Sequence, residues 1–141
     1  MLKKIHHVGV VVPNLDAGLR FWRDTLGLHF TKSATIEEQG VRAALLKAGE
    51  SEIELLEPLD ANNAVGKFLA RRGGGLHHVC FETDDVEREL ETARNKNIQL
   101  IDQKPRHGLA GMICFLHPKA TRGVLVEYAQ PVEEQIDDQV A

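Results

Sequence analysis

The residues that could do chemistry in this chain are two tandem histidine pairs and two glutamates. "IHHVGV" occupies residues 5–10 and "LHHVCF" residues 76–81, so four of the seven histidines sit in pairs at the starts of two similar apolar runs. Sliding the chain by 71 residues lays Ile5, His6, His7 and Val8 over Leu76, His77, His78 and Val79. A slide of 73 lays Glu54 of "EIELLEP" over Glu127 of "LVEYAQP", and Pro58 over Pro131. Each repeat thus offers one imidazole and one carboxylate. Burying two carboxylates without a cation costs several kcal/mol per ion, and a divalent metal removes that conflict. His7, Glu54, His78 and Glu127 are therefore the predicted ligands. Two nitrogens and two oxygens leave positions open for water or substrate, as in a catalytic rather than a closed structural site.

The elements that must position these groups follow from the same repeat. "HHVGVVV" is β-branched and apolar, which predicts a strand. "PNLDAGLRFWRDTLG" predicts a helix with Leu15, Leu19, Trp22 and Leu26 on one face, Asn14 as its cap and Gly27 as its stop. "LHFTKSA", "VRAALLKA" and "EIELLEP" predict three more strands. The second unit repeats the order with "HHVCFET", the helix "DDVERELETARNKN" bearing Val86, Leu90 and Ala93 and stopped at Asn97, then "IQLID", "GMICFLH" and "GVLVEYAQP". Between them, Val65, Phe68, Leu69 and Arg72 predict a short helix ended by Gly73–Gly75. No Gly-Lys-Ser/Thr follows those glycines and a strand comes next, so they read as a linker rather than a phosphate cradle. The fold class predicted is α+β: two tandem βαβββ units, about 3–60 and 75–131, around a metal-binding crevice. Together they form one domain over residues 1–131, with an acidic tail at 132–141.

Period two assigns the faces. His7, Gly9 and Val11 share one side of the first strand, and His6, Val8, Val10 and Val12 the other. A helix must cover the more apolar side, so His7 and His78 are expected to look into the crevice, with His6 and His77 on the helix side as local hydrogen-bonding residues. His29, His107 and His117 have no repeat counterpart and read as surface or loop residues.

The totals exclude other classes. A net charge of -4 and a pI near 6.0 argue against a nucleic-acid partner. No apolar stretch is long enough to span a bilayer, and the start "MLKKIHHV" lacks the apolar segment and cleavage site of a secretory signal, so the expectation is a cytoplasmic protein, or one in a compartment reached by a signal outside this sequence, without a membrane partner. Cys80 and Cys114 lie inside apolar runs and read as small hydrophobes rather than a disulfide.

With these residues in view, the chain resembles the vicinal oxygen chelate, or glyoxalase-like, superfamily across residues 3–131. "HHVGVVV", "EEQGVRAALL", "EIELLEPL", "GGGLHHVCFETDD", "FLHPK" and "GVLVEY" resemble the methylmalonyl-CoA epimerase family in particular. The resemblance implies a glyoxalase fold and a usually dimeric isomerase, supported by cobalt, manganese or magnesium, that interconverts R- and S-methylmalonyl-CoA in propionate metabolism. It matches His7, His78 and Glu127 to the family's metal ligands and Glu54 to a position filled with Glu or Gln. One branch carries an acid-base glutamate three residues after the glycine of "EQGV"; here that position is Ala43.

The reaction so implied removes a proton from carbon between a thioester and a carboxylate, so the negative charge that develops must be stabilised. With Ala43 unable to serve, Glu54 and Glu127, on opposite sides of the bound carbon, are the candidate acid-base pair, with Glu37, Glu38 and a metal-bound water in reserve. Lys104, Arg106, Lys119 and Arg122 could meet coenzyme A phosphates, though their spacing does not distinguish them from solvated cations. The alternatives are a glyoxalase I-type lyase acting on a glutathione hemithioacetal, or a non-catalytic small-molecule binder. The low aromatic content of 5% and the His/Glu set weigh against the binder.

Overall fold

The computed structural model describes residues 1–132, and its centre is a seam between two strands that begin with the tandem histidines. β1 (Leu2–Val11) pairs antiparallel with β5 (Gly75–Thr83). On one side of the seam lie β4 (Ser51–Pro58), β3 (Val41–Ala48) and β2 (His29–Ile36). On the other lie β8 (Val126–Gln130), β7 (Gly111–Leu116) and β6 (Arg106–Gly108). The sheet order β2-β3-β4-β1-β5-β8-β7-β6 is symmetric about that seam, and β1 pairs parallel with β4 as β5 does with β8. This is the α+β architecture of two βαβββ units that the repeat predicts. Apart from Val132, the expected acidic tail lies outside the described residues.

α1 (Leu15–Leu19) and α3 (Val86–Asn95) lie against one face of the sheet because alternate apolar residues point there, whereas α2 (Ala64–Arg72) packs Val65 on Val11, Val41, Ala43 and Leu56 of the crevice-facing side. α1 buries Leu15 against Val10, Val12, Ala44, Leu46 and Leu55, and Leu19 and Trp22 pack on the same cluster. Asn14 caps the helix by accepting from the Ala17 amide at 2.9 Å. The helix then widens over Arg20–Thr25, where the Leu26 amide donates to Phe21 O, five residues back, at 2.9 Å. The wider turn breaks the expected spacing, and Leu26 ends up 52% exposed rather than on the buried face.

The α2 helix is capped by Asn63 and closed by Gly73 in the left-handed conformation. α3 buries Val86, Leu90 and Ala93 as expected, with Asn97 left-handed just beyond it. Both long connections are tied to the sheet in the same way. Leu15 N donates to the Glu57 carboxylate at 2.9 Å, and Val86 N donates to the Gln130 side-chain oxygen at 3.0 Å. Each fourth strand therefore holds the helix of its own unit, which fixes Glu54 and Glu127 relative to the first strands.

One predicted strand is displaced. "IQLID" makes only a single bridge, Leu100 to Leu116, and the edge strand forms instead at Arg106–Gly108. The Asp102 side chain accepts the Phe115 amide at 2.8 Å, which puts a carboxylate where a ladder carbonyl would stand and ends regular pairing. Among the described residues no helix is long and apolar enough to cross a membrane.

Candidate metal centre

The four predicted ligands come together. In strand order β4-β1-β5-β8, Glu54, His7, His78 and Glu127 come from four adjacent strands, and all are buried. His7 Nε2 lies 3.0 Å from His78 Nε2. Glu127 Oε1 is 2.9 Å from His7 Nε2 and 3.1 Å from His78 Nε2, and Glu54 Oε1 is 3.6 and 3.5 Å from the same two atoms. Ligand atoms on neighbouring corners around one ion, with bonds of about 2.1 Å, stand about 3.0 to 3.4 Å apart. The observed spacing brackets those edges.

Several observations test whether a cation fits. Glu127 Oε1 is buried yet has no well-directed hydrogen bond despite two imidazole nitrogens nearby. Both imidazoles aim the same nitrogen at one point rather than at separate acceptors. His7, Glu54 and His78 can each give a ligand atom within 4.8 Å of the others. The donor set therefore fits a divalent cation of the oxygen- and imidazole-binding kind.

The electrostatics differ between the paired carboxylates. Burial raises the Glu54 pKa, only partly offset by His7. Burial acts on Glu127 in the same direction, but the close approach of the His7 and His78 rings outweighs it and holds that carboxyl below its ordinary range. At His7 burial pulls down, while the Glu54 charge and the Glu127 contact push harder, and the net direction is up.

The alternation expected for the outer histidines does not hold. Between Ile5 and His7 the chain advances two residues on β1 for one on β5, and between Gly9 and Val10 it advances two on β5 for one on β1. His6 and His77 are the extra residues of these two bulges, and a bulge re-aims its side chain. His77 shares a cavity with His78 instead of lying on the helix side, and His6 borders a second cavity with Leu45 and Gly108–Gly111. Each then reaches its neighbour: His6 Nδ1 is 2.8 Å from His7 Nδ1, and His77 Nδ1 is 2.8 Å from His78 Nδ1. Burial lowers both outer histidines to about 4, so both are neutral near pH 7. His29 and His107 are exposed, and His117 accepts the Lys119 amide in a turn.

Sequence reasoning also missed Gly9. It pairs with His78 across the seam, and a Cβ there would collide with Cε1 and Nδ1 of the His78 ring. A valine or alanine fits a β-strand pattern better, so glycine here marks the close approach of the ring.

His78 lines the floor of an open cavity of about 410 Å³, with Val41, Leu56, Val65, Phe115 and Leu125 on its walls. Glu37, Glu38 and Arg106 also line it. Arg106 pairs with Asp102 at 3.1 Å and lies over the Phe115 ring at 5.6 Å. Lys104, Lys119 and Arg122 are exposed and do not line the cavity. Ala43 is buried beside Val11, Val41, Leu56 and Val65. Cys80 and Cys114 are buried free thiols, with Cys80 pushed far up by burial and Cys114 raised by burial to about 12, so neither is a thiolate ligand.

Comparison with known proteins gives the family. Residues 6–115 match the model of the glyoxalase/bleomycin resistance protein/dioxygenase superfamily. The chain is 38% identical to the uncharacterized protein YqjC of Bacillus subtilis, over 95% of this chain and 96% of the relative. It is 35% identical to the mitochondrial methylmalonyl-CoA epimerase of Mus musculus, over 92% of this chain and 74% of the relative. A methylmalonyl-CoA epimerase solved in complex with methylmalonyl-CoA and NH4+ superposes with a TM-score of 0.90 at 40% identity, covering 94% of this chain and 96% of that one. The chain belongs to the glyoxalase/bleomycin resistance protein/dioxygenase superfamily, and its relatives there include methylmalonyl-CoA epimerases.

Proposed function

We propose that residues 1–131 act as one domain, a metal-assisted epimerase that interconverts R- and S-methylmalonyl-CoA by moving a proton on and off the carbon between the thioester and the carboxylate. The observation that carries this reading is the convergence of His7, Glu54, His78 and Glu127, with His78 of that set lining a cavity of ligand size. The epimerase relatives support the substrate class, and one of them, from Cereibacter sphaeroides, is an ethylmalonyl-CoA/methylmalonyl-CoA epimerase.

His7, His78, Glu54 and Glu127 would hold the cation. When bound, it supplies Lewis acidity toward the oxygens of the acyl thioester. Glu54 and Glu127 come from the strands flanking the two histidine strands, so they approach a bound carbon from opposite sides. One takes the proton and the other returns one to the opposite face, and the roles exchange for the reverse isomer. Phe115, Leu125, Leu56 and Val65 exclude water from that carbon, and the Arg106 guanidinium offers the cavity a cation for an anionic substrate group. The assembly in this reading is a homodimer, which sedimentation tests.

A second placement of the base has its own support. Glu37 and Glu38 line the cavity close to Gly40, and either would supply the carboxylate that Ala43 lacks. Incubating the metal-loaded protein with methylmalonyl-CoA in deuterated water tests the function. The expected result is deuterium at the inverted carbon. Turnover of a glutathione hemithioacetal instead would indicate the glyoxalase I alternative, and binding without exchange would indicate a non-catalytic binder; either result overturns the epimerase reading.

A further inference from the structure

A neutral imidazole carries one N–H and one lone pair, and a ring that binds a cation must give it the lone pair. His7 and His78 aim Nε2 at the common centre, so the proton of each ring must sit on Nδ1 when a cation is held. Each of those Nδ1 atoms faces another imidazole nitrogen at 2.8 Å, His6 Nδ1 for His7 and His77 Nδ1 for His78. Two N–H groups, or two lone pairs, cannot share so short a contact. Once the inner ring donates, the outer ring accepts at Nδ1 and carries its own proton on Nε2.

We propose that His6 and His77 are positioning residues, each fixing its neighbour in the Nδ1–H tautomer so that the Nε2 lone pairs of His7 and His78 are free for the cation. The inference rests on the metal-centre reading and goes beyond it. The four rings form one row, His6, His7, His78 and His77, with centroids 5.1 Å apart at each step and adjacent planes at 85°, 86° and 84°. The two bulges create the arrangement twice, once on each side of the seam. The usual outer partner of a ligating histidine is a carboxylate, carbonyl or water. Here Glu54 and Glu127 already balance a divalent charge, and a neutral imidazole orients the ligand without adding a further negative charge. Phe68 meets the His77 ring edge to face at 4.9 Å and helps to hold it in place.

The test uses His6→Phe and His77→Phe, which keep a ring but lose the acceptor, and His6→Asn and His77→Asn, which keep an acceptor oxygen near the Nδ1 position. Zinc and cobalt dissociation constants are measured by chelator competition. The phenylalanine variants should bind about 10- to 100-fold more weakly, and the asparagine variants should recover most of that loss. If ring bulk alone mattered, the order would reverse and the proposal would be overturned, as it would by parental affinity in the phenylalanine variants. Nitrogen-15 NMR of the zinc-loaded parent gives a second readout that needs no variant. Protonated Nδ1 on His7 and His78, with unprotonated Nδ1 on His6 and His77, is expected, and the opposite pattern overturns the inference. A parent that binds neither ion defeats the metal reading as well, whereas a binding parent with unaffected variants defeats this inference alone.

Discussion

His7 Nε2 and His78 Nε2 face one another across 3.0 Å, one from each half of the chain. With both rings in the tautomer that binds a cation, two lone pairs repel across that gap, and the two carboxylates beside them add further negative charge. An ion at the centre turns this repulsion into bonds. Binding to the folded state alone then stabilises it, because the unfolded chain has no such centre.

Adding a divalent cation at 100 times its dissociation constant should therefore contribute about 2.7 kcal/mol of stability, a rise in Tm of roughly 5 to 10 °C. Calorimetry of chelator-treated protein, with and without cobalt, manganese, magnesium or zinc, measures it. No shift with any of them would sink the metal centre.

Gly9→Ala puts a methyl group into the space held by the His78 ring. The strand persists, since alanine is tolerated there by the backbone, but His78 is driven off the centre. The expected result is a loss of about 1–3 kcal/mol in urea denaturation and a fall in cation affinity of at least about tenfold. Parental affinity would show that the ring has room to move.

Glu54→Gln keeps an oxygen for a cation and removes the proton acceptor. Deuterium exchange into methylmalonyl-CoA should fall by about 100- to 10,000-fold, while cation binding changes much less. Exchange at the parental rate would move the base to Glu37 or Glu38, and the matching Glu37→Gln and Glu38→Gln variants then identify which.

Asn63 joins two walls of the cavity. Its side-chain oxygen accepts the Gly66 amide at 2.8 Å as the cap of α2, and its nitrogen donates to Gly40 O at 2.8 Å. Asn63→Ala removes both and should cost about 1–3 kcal/mol, with a raised KM because the segment bearing Glu37 and Glu38 loses its tie. Urea denaturation and steady-state kinetics check the pair of effects.

The repeat made most of this legible. Equivalent positions of two copies named His7, Glu54, His78 and Glu127, and the apolar spacing located α1, α2 and α3 among the described residues. What stayed hidden depends on contacts distant in sequence. A bulge is a mismatch between strands, so nothing around His6 or His77 announces it until β1 is laid against β5. The displacement of the edge strand to Arg106–Gly108 has the same origin, because Asp102 interrupts pairing only where it meets Phe115 N. Gly9 was visible as a glycine in a strand, but the ring it accommodates comes from the other half.

The symmetric sheet has a further consequence. Neither half owns a complete centre, since each brings one imidazole and one carboxylate to a boundary that it shares with its copy. The molecule thus behaves as a dimer of half-domains fused by a tether, and α2 with Gly73–Gly75 keeps the two partners at high effective concentration. Slippage along that boundary would dismantle the ion's surroundings all at once, so occupancy of the centre and registry of the halves should rise and fall together.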